Sequence, residues 1–222
     1  MEHHTICVDR RRAELYAPSL SCQTVVYLHG GSGETEDCIS LLEGTEVALV
    51  LLPDVDWNGE LSPWPAQKVF RGGEDFSGKA AGYLRLLTES IIPQTEAMLK
   101  MPVMHRGIAG YSLAGLFAVY ALWESSVFDR AASMSGSLWY DGFSNYFLGT
   151  QPAEIPKKVY LSLGEQEKRT RNPRMAQVEN ATELLYQRLL HLGTETVFIH
   201  HPGGHFRDVS QRIQQGIRWI LE

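Results

Sequence analysis

A chain of 222 residues, 44 % apolar and 21 % charged, has the composition of an ordinary globular protein and the length of one α/β domain with a full core. Its net charge of −6, with dense basic runs only at 9–12 and 168–171, argues against a nucleic-acid partner. No run nears the ~18 apolar residues of a membrane helix. The start Met1-Glu2-His3-His4 shows no basic segment leading into an apolar one, and Cys7, Cys22 and Cys38 lack the spacing of a disulfide framework or zinc knuckle, so the expected setting is cytoplasmic.

In chain order, residues 5–8 and 13–16 flank a charged turn and predict an antiparallel hairpin at a sheet edge, with Arg10, Arg11 and Arg12 solvated. Residues 24–29 and 47–52 are nearly continuous apolar runs, as in strands buried on both faces of a parallel sheet. A long loop, 53–78, carries Trp57, Pro63, Trp64, Pro65, Phe70 and Phe76. Loops of this length are functional or disordered, and the aromatics argue against disorder. Leu84, Leu87 and Ile91 predict a helix after a Ser77 cap. Strands follow at 107–111, 130–134 and 159–163, with a helix after the first through Leu113, Phe117, Tyr120 and Ala121. Asn172-Pro173 and Gly193 bracket a helix containing Leu185, Leu189 and Leu192. Residues 196–200 form the last strand, and a final helix from about Arg207 places Val209, Ile213, Ile217 and Ile220 on one side. Alternating strands and helices predict a doubly wound, mostly parallel sheet, in which ligands bind beyond the carboxyl ends of the strands.

Four such strand ends carry chemistry. The first is Gly110-Tyr111-Ser112-Leu113-Ala114-Gly115. A sharp strand-to-helix turn needs small residues beside a serine whose hydroxyl stands exposed, and the helix N-terminus favours developing negative charge. Ala114 occupies the place where the usual pattern has glycine. On these residues alone Ser112 is either a nucleophile or the cap of an ordinary turn. The second is His29-Gly30-Gly31-Ser32-Gly33, whose free backbone N–H groups suit an oxyanion hole. Its donors would be Gly31, or Ser32, together with Leu113. A phosphate-cradling loop is the weaker alternative, since the spacing of such loops is absent, and His29 is expected to brace the turn.

The third is His200-His201-Pro202-Gly203-Gly204-His205, where glycines let a loop carry the His205 imidazole toward a serine on another strand. His205 is the candidate base. A metal held by His200, His201 and His205 is the rival, without supporting spacing, so no metal and no cofactor is expected. The fourth is Gly164-Glu165-Gln166-Glu167, an acid between serine and histidine in chain order. Glu167 is preferred because a Gly-x-x-acid turn carries the carboxylate past the bend. Glu165 is the alternative, and a bare Ser112–His205 pair is a third.

These pieces in this order resemble the α/β-hydrolase superfamily. Tyr111-Ser112-Leu113-Ala114-Gly115, Met134-Ser135-Gly136-Ser137-Leu138-Trp139-Tyr140, Gly164-Glu165-Gln166-Glu167 and Pro202-Gly203-Gly204-His205 are similar to the putative-esterase family. That family includes enterochelin-esterase-like and S-formylglutathione-hydrolase-like enzymes, and the likeness runs from about Tyr27 to the end. The Ser-Gly-Ser-Leu-Trp stretch resembles the siderophore-esterase branch. The resemblance implies a serine nucleophile, a histidine base, no metal and ester substrates.

The activity expected is hydrolysis of a small carboxylic ester or thioester through Ser112, His205 and Glu167 and an acyl-enzyme, with Gly31 and Leu113 as oxyanion donors. Trp64, Phe70, Trp139 and Tyr140 either line an acyl or aryl pocket or pack in the core. Lys168, Arg169 and Arg171 either meet an anionic substrate at the rim or form a solvated face. Acyl transfer to an acceptor other than water would use the same residues. A non-catalytic binding protein on this scaffold would need a missing nucleophile or base. The partner is a small-molecule ester, with neither nucleic acid nor membrane, and no oligomeric state is indicated.

Overall fold

The computed structural model describes residues 1–19, 22–30 and 32–222, excepting the side chains of 32–36. The chain opens with strands β1 (Glu2–Val8) and β2 (Arg11–Ala17), paired antiparallel as expected. Asp9 and Arg10 make the turn with φ of 49° and 65°. Two successive left-handed residues give a hairpin turn whose twist matches that of its strands. Of the two arginines after it, Arg11 is half-buried rather than solvated as expected, and Arg12 stays exposed. Arg11 donates to both carboxylate oxygens of Glu60 at 2.7 and 2.5 Å, and Arg12 grips Asp54 at 3.0 and 3.1 Å. The hairpin is thereby pinned to the segment that follows the fourth strand.

Next come β3 (Thr24–His29), α1 (Ser32–Leu42), β4 (Val47–Leu52), α2 (Trp57–Glu60), β5 (Pro65–Ala66), β6 (Phe76–Ser77) and α3 (Ala80–Leu86), which passes through a π turn (Leu87–Ile91) into α4 (Ile92–Glu96). Then follow β7 (His105–Tyr111), α5 (Leu113–Glu124), β8 (Arg130–Met134), α6 (Phe143–Gly149), β9 (Lys158–Gly164), a 3₁₀ turn (Met175–Gln177), α7 (Val178–Leu192), β10 (Glu195–His201) and α8 (Val209–Leu221).

Eight strands form one sheet in the order β1-β2-β4-β3-β7-β8-β9-β10. It is parallel from β4 to β10 and antiparallel where β1 and β2 join it. Alternate strand residues face opposite layers. Val26, Leu28, Leu49, Ala109 and Ala132 meet Leu42 of α1 and Ile213, Ile217 and Ile220 of α8. Val25, Tyr27, Ile108, Ala131 and Leu161 meet Leu84 of α3, Phe117 of α5 and Leu185 of α7. This is the α/β-hydrolase architecture, a doubly wound sheet between two helical layers. Among the described residues no helix is long and apolar enough to cross a membrane.

From β3 the chain moves outward to β4, then returns across β3 to β7 and proceeds the other way. The strand order therefore reverses between β3 and β7, whose carboxyl ends pair at His29 and Gly110. A crevice at that reversal is where such sheets bind ligands.

Some local expectations shift. Ser77 caps no helix, because pairing with Pro65 holds it in β6 and Lys79 precedes α3 instead. The loop 53–78 is ordered by α2, capped where Asp56 accepts from Gly59 N–H, and by the β5–β6 hairpin. Pro93 lacks an N–H, and its ring would strike the carbonyl four residues back. The backbone widens just before it, so that Ile92 N–H reaches Leu87. Asn172 Oδ1 accepts from Arg174 and Met175 N–H at 3.0 and 3.3 Å, so it caps the turn before α7 rather than α7 itself. Gly193 ends α7 left-handed, as expected, and α8 begins at Val209 after Asp208.

Candidate active site

Ser112 alone makes the turn from β7 to α5, with φ 58° and ψ −120°. A non-glycine residue there carries strain of order 1–3 kcal/mol and must be held in place. Ser112 N–H donates to the Met134 carbonyl at 3.1 Å, and the Ser112 carbonyl accepts from Leu116 at 3.1 Å and Ser137 at 3.0 Å. The turn closes because its neighbours are small. A Cβ on Gly110 would lie 2.5 Å from the Ala114 Cβ, and one on Gly115 2.8 Å from Ser133 Oγ. Gly110 thus supplies the room that Ala114 takes up. The Ser112 hydroxyl makes no capping bond to α5 and stands 3.4 Å from Ser137 Oγ. Leu113 N–H belongs to the first turn of α5, where backbone donors have no intrahelical partner. Gly31 lies outside the described residues, and Ser32 opens α1.

The turn after β9 brings Glu167 back under the sheet end. Its Oε1 accepts from Gly164 N–H at 2.6 Å, Ser135 Oγ at 2.6 Å and Arg212 at 3.3 Å. Its Oε2 accepts from His205 Nδ1 at 2.7 Å. Burial alone would raise the Glu167 carboxyl. Hydrogen bonds from His205 and Ser135, the electrostatic attraction of His205 and the Gly164 N–H outweigh it and hold the carboxyl below its ordinary value. Glu165 is exposed and takes part through its backbone, donating to the His201 carbonyl at 2.9 Å.

His205 sits on the loop between β10 and α8, where Gly203 adopts φ 93°. Tyr111, the residue before Ser112, donates its hydroxyl to the His205 carbonyl at 2.6 Å and sets its ring edge-on to the imidazole at 5.3 Å. The three histidines of this segment have separate partners. His200 meets Glu179 at 3.1 Å, His201 meets the Tyr160 hydroxyl at 3.2 Å, and His205 meets Glu167. His29 is fully buried, bonded to the Tyr83 hydroxyl at 2.9 Å, and burial pushes its imidazole down to about 3. It is a structural residue, as expected, but it braces the end of β3 against α3.

The aromatics divide. Tyr140 is buried and donates its hydroxyl to the Trp64 carbonyl, while Trp64 Nε1 donates to the Asp141 carbonyl at 2.7 Å. Trp139 is half-buried and lines, with Leu138, Tyr140, Pro173 and Arg174, a cleft of about 410 Å³. The Arg174 guanidinium lies 5.7 Å from the centre of the Trp139 ring. Phe70 is 62 % exposed and does not line that cleft. Lys168 pairs with Glu179, and Arg169 and Arg171 are exposed.

Three participants were not singled out by sequence reasoning. Tyr111 and Ser135 bond directly to His205 and Glu167. Arg212 of α8 lies fully inside, touching Tyr111, Ser135 and Glu167. Its signal was present, since position 212 falls among the apolar positions of α8, where a cation is costly unless paired.

The family model described as putative esterase matches residues 13–208. The uncharacterized protein YbbA of Bacillus subtilis (strain 168) is 29 % identical over 199 residues, covering 82 % of this chain and 79 % of that one. An IroE-like serine hydrolase from Shewanella oneidensis has a similar structure, with a TM-score of 0.80 at 18 % identity over 98 % of this chain and 79 % of the other. The siderophore hydrolase EstA from Aspergillus nidulans gives a TM-score of 0.71 at 20 % identity, over 98 % and 93 %.

Proposed function

Because the chain belongs to the putative esterase family and is an esterase of the α/β-hydrolase fold, we propose that it cleaves small carboxylic esters or thioesters through Ser112, His205 and Glu167. The observation that carries this is a pair of hydrogen bonds. Glu167 holds His205 Nδ1 at 2.7 Å, and Tyr111, next to Ser112, holds the His205 carbonyl at 2.6 Å. Acid, base and nucleophile strand are tied into one unit.

With its Nδ1 proton directed at Glu167, His205 presents Nε2 as the acceptor for the Ser112 proton. Ser112 Oγ bonds to the carbonyl carbon as that proton moves to Nε2. Collapse of the tetrahedral adduct breaks the bond to the leaving oxygen or sulfur, which takes the proton from His205. Water, deprotonated by the same imidazole, then cleaves the acyl-enzyme, releasing the acid and restoring Ser112. Leu113 N–H, with Gly31 as its partner, stabilises the oxyanion, each donor contributing about 3 kcal/mol. The cleft beside Trp139 begins one residue after Ser137, whose hydroxyl is near that of Ser112, and it is the candidate acyl subsite. EstA is named a siderophore hydrolase, so a siderophore ester is one substrate class to include.

Fluorophosphonate labelling tests the reading, combined with turnover of p-nitrophenyl esters, thioesters of graded length and a siderophore ester. Wild type labels and turns over at least one ester class, and Ser112→Ala does neither. Labelling of Ser112→Ala, or retention of more than a small fraction of kcat, overturns it.

A further inference from the structure

Arg212 supplies nothing to the steps above, yet it touches Glu167, the loop that carries His205 and the residue before Ser112. One terminal nitrogen donates to the Tyr111 hydroxyl at 3.2 Å, Ser135 Oγ at 3.1 Å and Glu167 Oε1 at 3.3 Å. The other donates to the carbonyls of Pro202 at 3.2 Å and Gly204 at 3.1 Å. These partners lie at the ends of β7, β8 and β9 and in the loop that carries His205. The side chain is 1 % exposed.

A buried cation is costly, and well-packed apolar residues often do as well or better for stability alone. Here the guanidinium has one carboxylate, at the long end of hydrogen-bond range, and its Nε is buried without a partner. What the arrangement does provide is geometry. A guanidinium is a rigid planar fork, so its two arms fix two partners relative to each other. One arm holds Glu167 Oε1, which leaves Oε2 facing the imidazole. The other holds the carbonyls on either side of Gly203, which set where His205 leaves the backbone. Gly164 lies close beneath the fork, and a Cβ there would stand 3.1 Å from both terminal nitrogens.

We propose that Arg212 is a positioning residue for ester hydrolysis, holding the Glu167 carboxylate and the His205 loop in register so that His205 meets Ser112 in its productive orientation. This rests on the assignment of Glu167 and His205 made above. The arm on Glu167 acts through that residue, so the role predicts partial non-additivity with it, which a general contribution to folding does not.

The test is a double-mutant cycle of Arg212→Lys with Glu167→Gln, read by steady-state kinetics on one activated ester, with circular dichroism and thermal melting of each variant. Lysine keeps a charge beside Glu167 but has no fork. Arg212→Lys is expected to fold as wild type and to lose about 10² in kcat, the scale of an ångström-sized misplacement, with KM within about twofold. In the Glu167→Gln background the same substitution is expected to cost about 10-fold or less, since only the arm on the His205 loop is left to lose. If Arg212→Lys does not fold, Arg212→Gln is read by the same criteria. Wild-type kcat in the Arg212 variant, or equal losses in both backgrounds, overturns the proposal and leaves the triad standing if Glu167→Gln is itself impaired. Glu167→Gln turning over at the wild-type rate removes the acid assignment, and the proposal with it.

Discussion

Glu167 Oε2 lies 2.7 Å from His205 Nδ1, and the other oxygen of the same carboxylate is occupied by Gly164 and Ser135 at 2.6 Å each. The carboxylate has one orientation available, and in it the free oxygen meets the imidazole. Replacing such an orienter in a triad costs up to ~10⁴ in kcat. Glu167→Gln is expected to lower kcat by orders of magnitude, whereas Glu165→Gln, an exposed turn residue, stays within about twofold. Steady-state rates of the two variants on one activated ester decide this. The reverse pattern moves the role to Glu165.

Ser112 has φ 58° without being glycine. Glycine adopts that region without steric cost, at the expense of a more flexible unfolded chain. Ser112→Gly is expected to abolish turnover while raising stability by about 1 kcal/mol, or roughly 2–4 °C in Tm for a chain of this size. Differential scanning calorimetry at neutral pH measures it. A lower Tm would mean that the serine hydroxyl stabilises the turn more than the strain destabilises it.

His29 links burial to acid sensitivity. Its imidazole is pushed down to about 3 in the folded protein by burial, against ~6.5 in an unfolded chain. Between those values the unfolded chain binds a proton that the folded one refuses. This contribution to stability is therefore whole above about pH 6.5 and declines as the pH falls toward 3. His201, lowered by burial and by the Arg212 charge, has the same sign. The depressed Glu167 carboxyl adds a loss only below the ~4.3 of an unfolded glutamate. His29→Gln is expected to lower Tm at neutral pH, through the lost Tyr83 contact, and to flatten the slope of Tm against pH between about 6.5 and 4.5. An unchanged slope would assign the acid sensitivity elsewhere.

The cleft beside Trp139 makes a selectivity prediction. If it receives the acyl group, Trp139→Ala raises KM about tenfold, or ~1.4 kcal/mol, for an aryl-acyl ester and much less for an acetyl ester. Phe70→Ala, altering a side chain that stands in solvent, leaves both unchanged. A uniform change across acyl groups in Trp139→Ala would point to packing beneath Tyr140 and Phe76 instead.

Which features were legible in the chain follows from which are local. The apolar runs at 24–29 and 47–52 identify buried parallel strands, because a strand covered on both faces has no polar side to show. Gly110 to Gly115 identifies a sharp turn around Ser112, because steric room at an elbow is set by the residues beside it. Asp9-Arg10 between two short runs marks a hairpin, although not that Arg11 and Arg12 find Glu60 and Asp54. Relations across the sheet had to wait for strand order and register. Glu165 and Glu167 are two residues apart in one turn, and only the stacking of β9 beside β10 decides that Glu167 reaches His205 while Glu165 faces solvent. Trp64 and Trp139 look alike in sequence, and only packing commits the first to Tyr140 and Asp141 and the second to a cleft wall. Arg212 was visible as a charge at an apolar position of the last helix. Its partners come from four strand ends far apart in the chain, brought within reach of one guanidinium because the sheet sets those ends side by side.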